Sequence, residues 1–221
     1  MGNLTIAIDG PSGAGKSTIT TRLANKLGIF QLNTGALYRA IGLYYLENNI
    51  DVNNTNEVLK HINDIDIKVK YDGIDQITLL NGENVNSKLR TPEVDNICSI
   101  TSQIPELREH ILTIQQEAAK NHSLIIEGRD IGAVVLPNAT FKFYLDASPE
   151  VRANRRVHDE KNGKNIFDYD KVLADIIERD RRDTQRKISP LVRLPEAIYV
   201  NSDNMSIEEV VDYMYNIIVK G

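Results

Sequence analysis

Only one cysteine, Cys98, occurs among the 221 residues, which rules out an internal disulfide and fits a reducing compartment. Cys98 and the four histidines show no metal-ligand spacing, so Cys98 is expected to be a small core residue. No apolar run reaches the ~18 residues that a membrane helix requires. The N-terminal MGNLTIAIDG enters a strand pattern with no basic region or long apolar run before it, so neither a signal peptide nor a membrane partner is expected. A basic excess is missing too: 26 Lys and Arg against 31 Asp and Glu leave a net charge of −5, which argues against general binding of a nucleic-acid polymer. With 41% hydrophobic and 26% charged residues, the composition is that of an ordinary globular protein. The expectation is a soluble, cytoplasmic monomer: one domain with a small insertion.

Apolar runs that end in turn residues alternate with helical patterns: LTIAID, IFQL, SLIIEG, TFKFYLD and AIYVNS. That alternation predicts an α/β fold, a five-stranded parallel sheet flanked by helices. The first helix is expected from Lys16 to Leu27, stopped by Gly28, and the last opens on a Ser206 to Glu209 capping box. Thr91-Pro92 and Pro105 open two more. Between Ile65 and Ser87 the rhythm changes to strict alternation around Asp72-Gly73 and Asn81-Gly82, which predicts a small antiparallel insertion.

IAIDGPSGAGKST matches G-x-x-x-x-G-K-[ST] at Gly10, Gly15, Lys16 and Ser17, between a strand and a helix. Glycines let the backbone curl so that N–H groups face phosphate, and the helix N-terminus adds its positive end. The loop Gly10, Pro11, Ser12, Gly13, Ala14, Gly15 with Lys16, Ser17 and Thr18 is therefore the expected ATP site. Lys16 reaches the β- and γ-phosphates and the Ser17 hydroxyl serves Mg²⁺. A further carboxylate for the ion is open, with Asp9 a guess. No N-K-x-D or D-x-x-G follows a suitable strand, which excludes the GTPase pattern.

Eight of the ten residues from Glu178 to Lys187 are charged, on a helix whose apolar face is marked by Val172 and Ile176. At about 100° per residue Arg179, Asp183 and Arg186 extend that face, whereas Arg181 and Arg182 point away. Charge on a core-facing stripe needs a partner of opposite sign, in the protein or in a ligand. LNTGALYRAIG starts another helix, with Thr34 as its expected N-cap and Arg39 a bidentate phosphate donor. Glu127-Gly128-Arg129-Asp130 ends a strand where α/β sheets bind ligands.

GPSGAGKST, TGALYR, EGRDIG and ERDRRDTQR, in this order and with the hairpin insertion between the second and third, resemble the bacterial cytidylate kinases over nearly the whole chain. The resemblance implies a nucleoside monophosphate kinase that passes the γ-phosphoryl group of MgATP to CMP or dCMP. The alternatives are another small-molecule P-loop kinase, such as one for shikimate, and a nucleotide-sensing P-loop ATPase, which would not need the second anion pocket of Arg179, Asp183 and Arg186. The resemblance implies a core of residues 1–33, 88–150 and 188–221, a monophosphate-binding region at 34–87 and a lid at about 151–170. It also implies that Arg39, Arg129 and Arg186 hold the CMP phosphate, with Thr34 and Tyr38 nearby. Ser99, Arg108 and Asp130 would read cytosine, and Arg179 and Asp183 would meet the ribose. Lys16, Arg129, Arg179 and Arg186 would carry the transfer. From the lid, Arg152, Arg155 and Arg156 are available to the triphosphate, the last two being counted with the ATP site. The chain departs from many of these kinases in having Ser17 where they have Gly, and in Thr34 where Ser is also used; neither change removes a needed group.

Overall fold

The computed structural model describes residues 2–158 and 168–220. Five strands, β1 (Thr5–Asp9), β2 (Phe30–Leu32), β6 (Leu124–Gly128), β7 (Phe141–Asp146) and β8 (Ile198–Asn201), form a parallel sheet in the order β2-β6-β1-β7-β8. A separate antiparallel sheet contains β3 (Ile67–Asp72), β4 (Asp75–Leu80) and β5 (Glu83–Asn84). The expected fold class is the observed one. The chain divides into two compact units, one of Ile29–Leu124 with the residues up to Asn3, the other of Leu4–Gly28 and the residues from Ile125 onward.

In the second unit β1 pairs with β7 so that Ile6 faces Phe141 and Asp9 faces Tyr144, and β7 continues in parallel register onto β8. Ile6, Ile8 and Leu145 are fully buried and Phe143 nearly so. Burying each such side chain contributes about 1.5–3 kcal/mol before the entropy of ordering it is counted. This core fixes the carboxyl ends of β1 and β6, from which the functional loops leave. Helix α1 (Lys16–Leu27) stops at Gly28, whose φ of 66° is one that a glycine adopts without strain. It packs on α8 (Ile207–Lys220). The expected capping box is present: Ser206 N–H donates to Glu209 at 2.8 Å, and Glu209 N–H to the Ser206 hydroxyl at 3.2 Å. Helices α6 (Pro149–Val157) and α7 (Tyr169–Gln185) pack through Ala153, Val172 and Ile176. Residues 159–167 of the expected lid lie outside the described residues.

In the first unit α2 (Thr34–Glu47) lies against α4 (Pro92–Thr101), followed by α5 (Pro105–Asn121); the short α3 (Thr55–Lys60) is capped by Asn54. The approach of α2 to α4 is close enough that a Cβ on Gly42 would sit 3.2 Å from the Val94 carbonyl oxygen and the Cys98 nitrogen. Cys98, expected in the core, is only half-buried, its thiol lying within electrostatic reach of Arg39 and Asp95 rather than among apolar side chains alone. The Asn81-Gly82 turn has positive φ at both residues, 49° and 87°, the geometry that two-residue hairpins favour.

Candidate active site

The phosphate loop starts where β1 runs out. Gly10 is pressed so closely on β7 that a Cβ would lie 1.9 Å from the Leu145 carbonyl oxygen, and backbone cannot yield as a side chain would. Gly13 and Gly15 have φ of 80° and 88°, which L side chains rarely adopt. Gly15 is the N-cap of α1 and offers no side chain, so no side-chain group caps the helix start. The first N–H groups of that helix are left for an anion. Lys16 is 6% exposed and its ammonium donates to the Pro11 carbonyl at 2.7 Å, which folds the side chain back over the loop. Burial first, then the positive charge of Arg129, lowers its pKa to about 7; Glu127, Asp9 and Asp183 oppose that shift. Ser17 and Thr18 are exposed. Among the described residues no group of three or more His, Cys, Asp or Glu is placed to hold a metal ion.

Asp9, the last residue of β1, is 6% exposed. Its carboxylate accepts from the Ile131 N–H at 2.9 Å and the Gly132 N–H at 2.8 Å. Burial raises its pKa to about 6, against those two bonds. Ile131–Val135 forms a π-helical turn directly after Arg129 and Asp130. Asp130 itself is 9% exposed.

The charged stripe of α7 carries both internal and free-facing groups. Asp183 accepts from Arg129 Nε at 2.8 Å, and the two side chains are 18% and 17% exposed. Arg186, the C-cap of α7, donates through Nε to the Ser189 carbonyl. Arg179 is exposed as a residue, yet desolvation of its guanidinium and then the nearby Arg129 lower its pKa. Arg181 pairs with Glu178 at the surface, as its outward position predicts. Thus Arg129, Arg179 and Asp183 meet within this unit.

The first unit holds the other expected substrate residues. The structure corrects one local assignment: Asn33, not Thr34, caps α2, its side chain accepting from the Ala36 N–H at 3.1 Å, and Thr34 is the first helical residue. An asparagine carbonyl reaches the third residue on as readily as a threonine hydroxyl, so sequence order alone did not separate them. Freed from capping, the Thr34 hydroxyl is open to another role. Arg39 Nε donates to Asp95 at 2.7 Å, and the Arg108 guanidinium stands 6.0 Å from the ring centre of Tyr38. Ser99 is exposed on α4. Arg39 also lines a polar cavity of about 230 Å³ with Gln76, Thr78 and Arg90.

Two residues of the expected lid have other partners. Arg152 is 2% exposed and donates to the Ala147 carbonyl at 2.8 Å, the Ser12 carbonyl at 3.0 Å and both oxygens of Asp180. It holds the phosphate loop through the Ser12 carbonyl, a part that the sequence reading missed. Arg155 donates to the Ser202 carbonyl at 2.6 Å, beyond β8, and Arg156 is exposed.

A family model described as cytidylate kinase matches residues 6–220. A cytidylate kinase of Fervidobacterium nodosum is 44% identical over 213 residues, 96% of this chain and 95% of that one. One of Caldicellulosiruptor saccharolyticus is 43% identical, covering 100% of this chain and 97% of the relative. Among solved structures, an uncharacterized protein of Eubacterium ventriosum is 12% identical, with a TM-score of 0.58 over 99% of this chain and all of that one, a likeness of fold alone.

Proposed function

The chain belongs to the cytidylate kinase family, and from that premise we propose that it transfers the γ-phosphoryl group of MgATP to CMP or dCMP, giving ADP and CDP or dCDP. The observation that carries this reading is the phosphate loop, with an uncapped helix start and Lys16 folded over it, on a chain matched to that family over residues 6–220. The acceptor phosphate is already a nucleophile, so the protein's task is to align two anions and offset the charge that develops between them. Lys16, Arg129, Arg179 and Arg186 are the cations we assign to that task. Mg²⁺ arrives as part of MgATP, and the exposed Ser17 hydroxyl is the protein group we assign to it.

Thr34, Tyr38, Arg39, Ser99, Arg108 and Asp130 are the remaining groups we assign to CMP. A carboxylate and a guanidinium complement the cytosine edge, an exocyclic amine beside two acceptors, whereas uracil sets a carbonyl against the carboxylate. Closure of the region at about 151–170 would exclude water and limit ATP hydrolysis. We further read the protein as a cytoplasmic monomer. A coupled assay of ADP release with ATP and a panel of CMP, dCMP, UMP, AMP and shikimate tests the function. CMP or dCMP should be turned over best; hydrolysis indifferent to CMP, or a preference for another acceptor, would overturn it.

A further inference from the structure

Asp9 has no part in the chemistry above, yet it is a carboxylate 6% exposed at the carboxyl end of the strand that leads into the phosphate loop. Its two acceptors are both used by backbone, at 2.9 Å from the Ile131 N–H and 2.8 Å from the Gly132 N–H. Those N–H groups begin the turn in which Val134 N–H returns to the Asp130 carbonyl and Leu136 N–H to the Ile131 carbonyl. The first donors of a helical turn have no carbonyl of their own to reach, so something outside must satisfy them. Asp9 does so from another strand. The turn follows directly on Arg129 and Asp130, so whatever fixes Ile131 and Gly132 fixes where those two side chains leave the backbone. Gly132 fits the same arrangement: a Cβ there would come within 3.3 Å of Asp9 Oδ2, Leu194 Cδ1 and Lys142 Cδ.

We infer that Asp9 is a positioning residue, a carboxylate clamp that ties the end of β1 to the Arg129-Asp130 turn and so sets the acceptor-binding groups against the phosphate loop. β1 is held independently by its pairing with β7, from Ile6↔Phe141 to Asp9↔Tyr144. Breaking the clamp therefore releases the turn more than the phosphate loop. The consequence falls on CMP rather than on ATP. The substrate named here rests on the CMP kinase reading; the clamp itself does not.

The test is Asp9→Asn, which keeps shape and one acceptor but sets an amide NH₂ against one of the two N–H donors. We expect kcat/KM for CMP to fall on the order of 10–100-fold, the loss that a misplaced binding group gives, with the KM for ATP changed less than about threefold. Gly132→Ala, which crowds the clamp without altering Asp9, should give a smaller loss of the same selectivity and guards against an Asp9 variant that does not fold. An unchanged kcat/KM for CMP overturns the inference. So do equal losses for both substrates with a lowered melting temperature, or a shifted Mg²⁺ requirement with CMP unaffected, the result for a metal ligand. If the wild type does not phosphorylate CMP, the functional reading fails. The clamp is then judged by amide hydrogen exchange at Ile131 and Gly132, which Asp9→Asn should speed by about tenfold or more, and an unchanged rate ends it.

Discussion

The guanidinium of Arg152, 2% exposed, meets Asp180 through two bonds of 3.0 and 2.5 Å, and so joins α6 to α7. The same guanidinium reaches the Ser12 carbonyl at 3.0 Å, so the ion pair also bears on the phosphate loop. A buried pair is weak evidence of net stabilisation, but removing one partner leaves a charge that the interior cannot solvate. Asp180 is 23% exposed as a side chain, which tempers the loss. Asp180→Ala should cost about 3 kcal/mol, and the melting temperature should drop by roughly 10 °C. The KM for ATP should rise with it, through Ser12. Thermal unfolding and steady-state kinetics read both, and a loss below about 1 kcal/mol would place the pair among ordinary surface bridges.

Lys16 predicts a proton uptake. Its pKa in the folded protein, about 7, lies below its ordinary 10.5, through burial and then Arg129, against Glu127, Asp9 and Asp183. The sign follows: the folded protein disfavours the charged form, so the cost to stability is full below pH 7 and fades as pH rises toward 10.5. At pH 8 the unliganded lysine is mostly neutral. A triphosphate placed against it supplies opposite charge and raises the pKa, so binding of ATP should take up close to one proton. Calorimetry in two buffers of different ionisation enthalpy measures that number. Lys16→Met should bind with no such uptake and should lose turnover; uptake that persists in the variant would move the proton to another group.

Asp130 is set up to test base choice. It is 9% exposed at the end of β6, and its carboxylate is the group assigned to the cytosine amine. Asp130→Asn offers an amide donor in place of one acceptor oxygen, which suits the O4 carbonyl of uracil better. The ratio of kcat/KM for CMP over UMP should fall by about tenfold or more. A parallel loss for both nucleotides, with lower thermal stability, would make Asp130 structural.

What could be read from the sequence was what is local in the chain. The phosphate loop announces itself because the backbone needs glycine where φ is 80° and 88°, and the hairpin does so because Asn81-Gly82 suits a tight turn. Of the expected stripe on α7, helical period located Asp183, which is partly buried and paired with Arg129, whereas Arg179 is exposed and Arg186 is the extended C-cap beyond the last helical residue. The stripe's other branch, Val172 to Ile176 to Asp180 at intervals of four, carried the signal for Asp180, but the charge that answers it lies 28 residues away. Asp9 was harder still. Its partners are backbone N–H groups 122 and 123 residues distant, and a backbone donor has no residue type to read.

The exchange of Asn33 for Thr34 as the cap of α2 gives the last prediction, because it separates two roles that adjacent residues could have shared. Asn33 satisfies the Ala36 N–H at 3.1 Å, so Asn33→Ala should cost about 1 kcal/mol of stability through the loss of a helix cap. Thr34 caps nothing and sits in the first turn of the helix that carries Tyr38 and Arg39. Thr34→Ala should leave the melting temperature within about 2 °C, since a half-buried hydroxyl without a capping bond contributes little to folding. If Thr34 serves the acceptor nucleotide, its KM for CMP should still rise several-fold, by the roughly 0.5–1.5 kcal/mol of one neutral hydrogen bond. Paired thermal melts and CMP titrations on the two variants decide it. A Thr34 variant that melts early and binds CMP normally would return the capping role to Thr34 and remove it from the site.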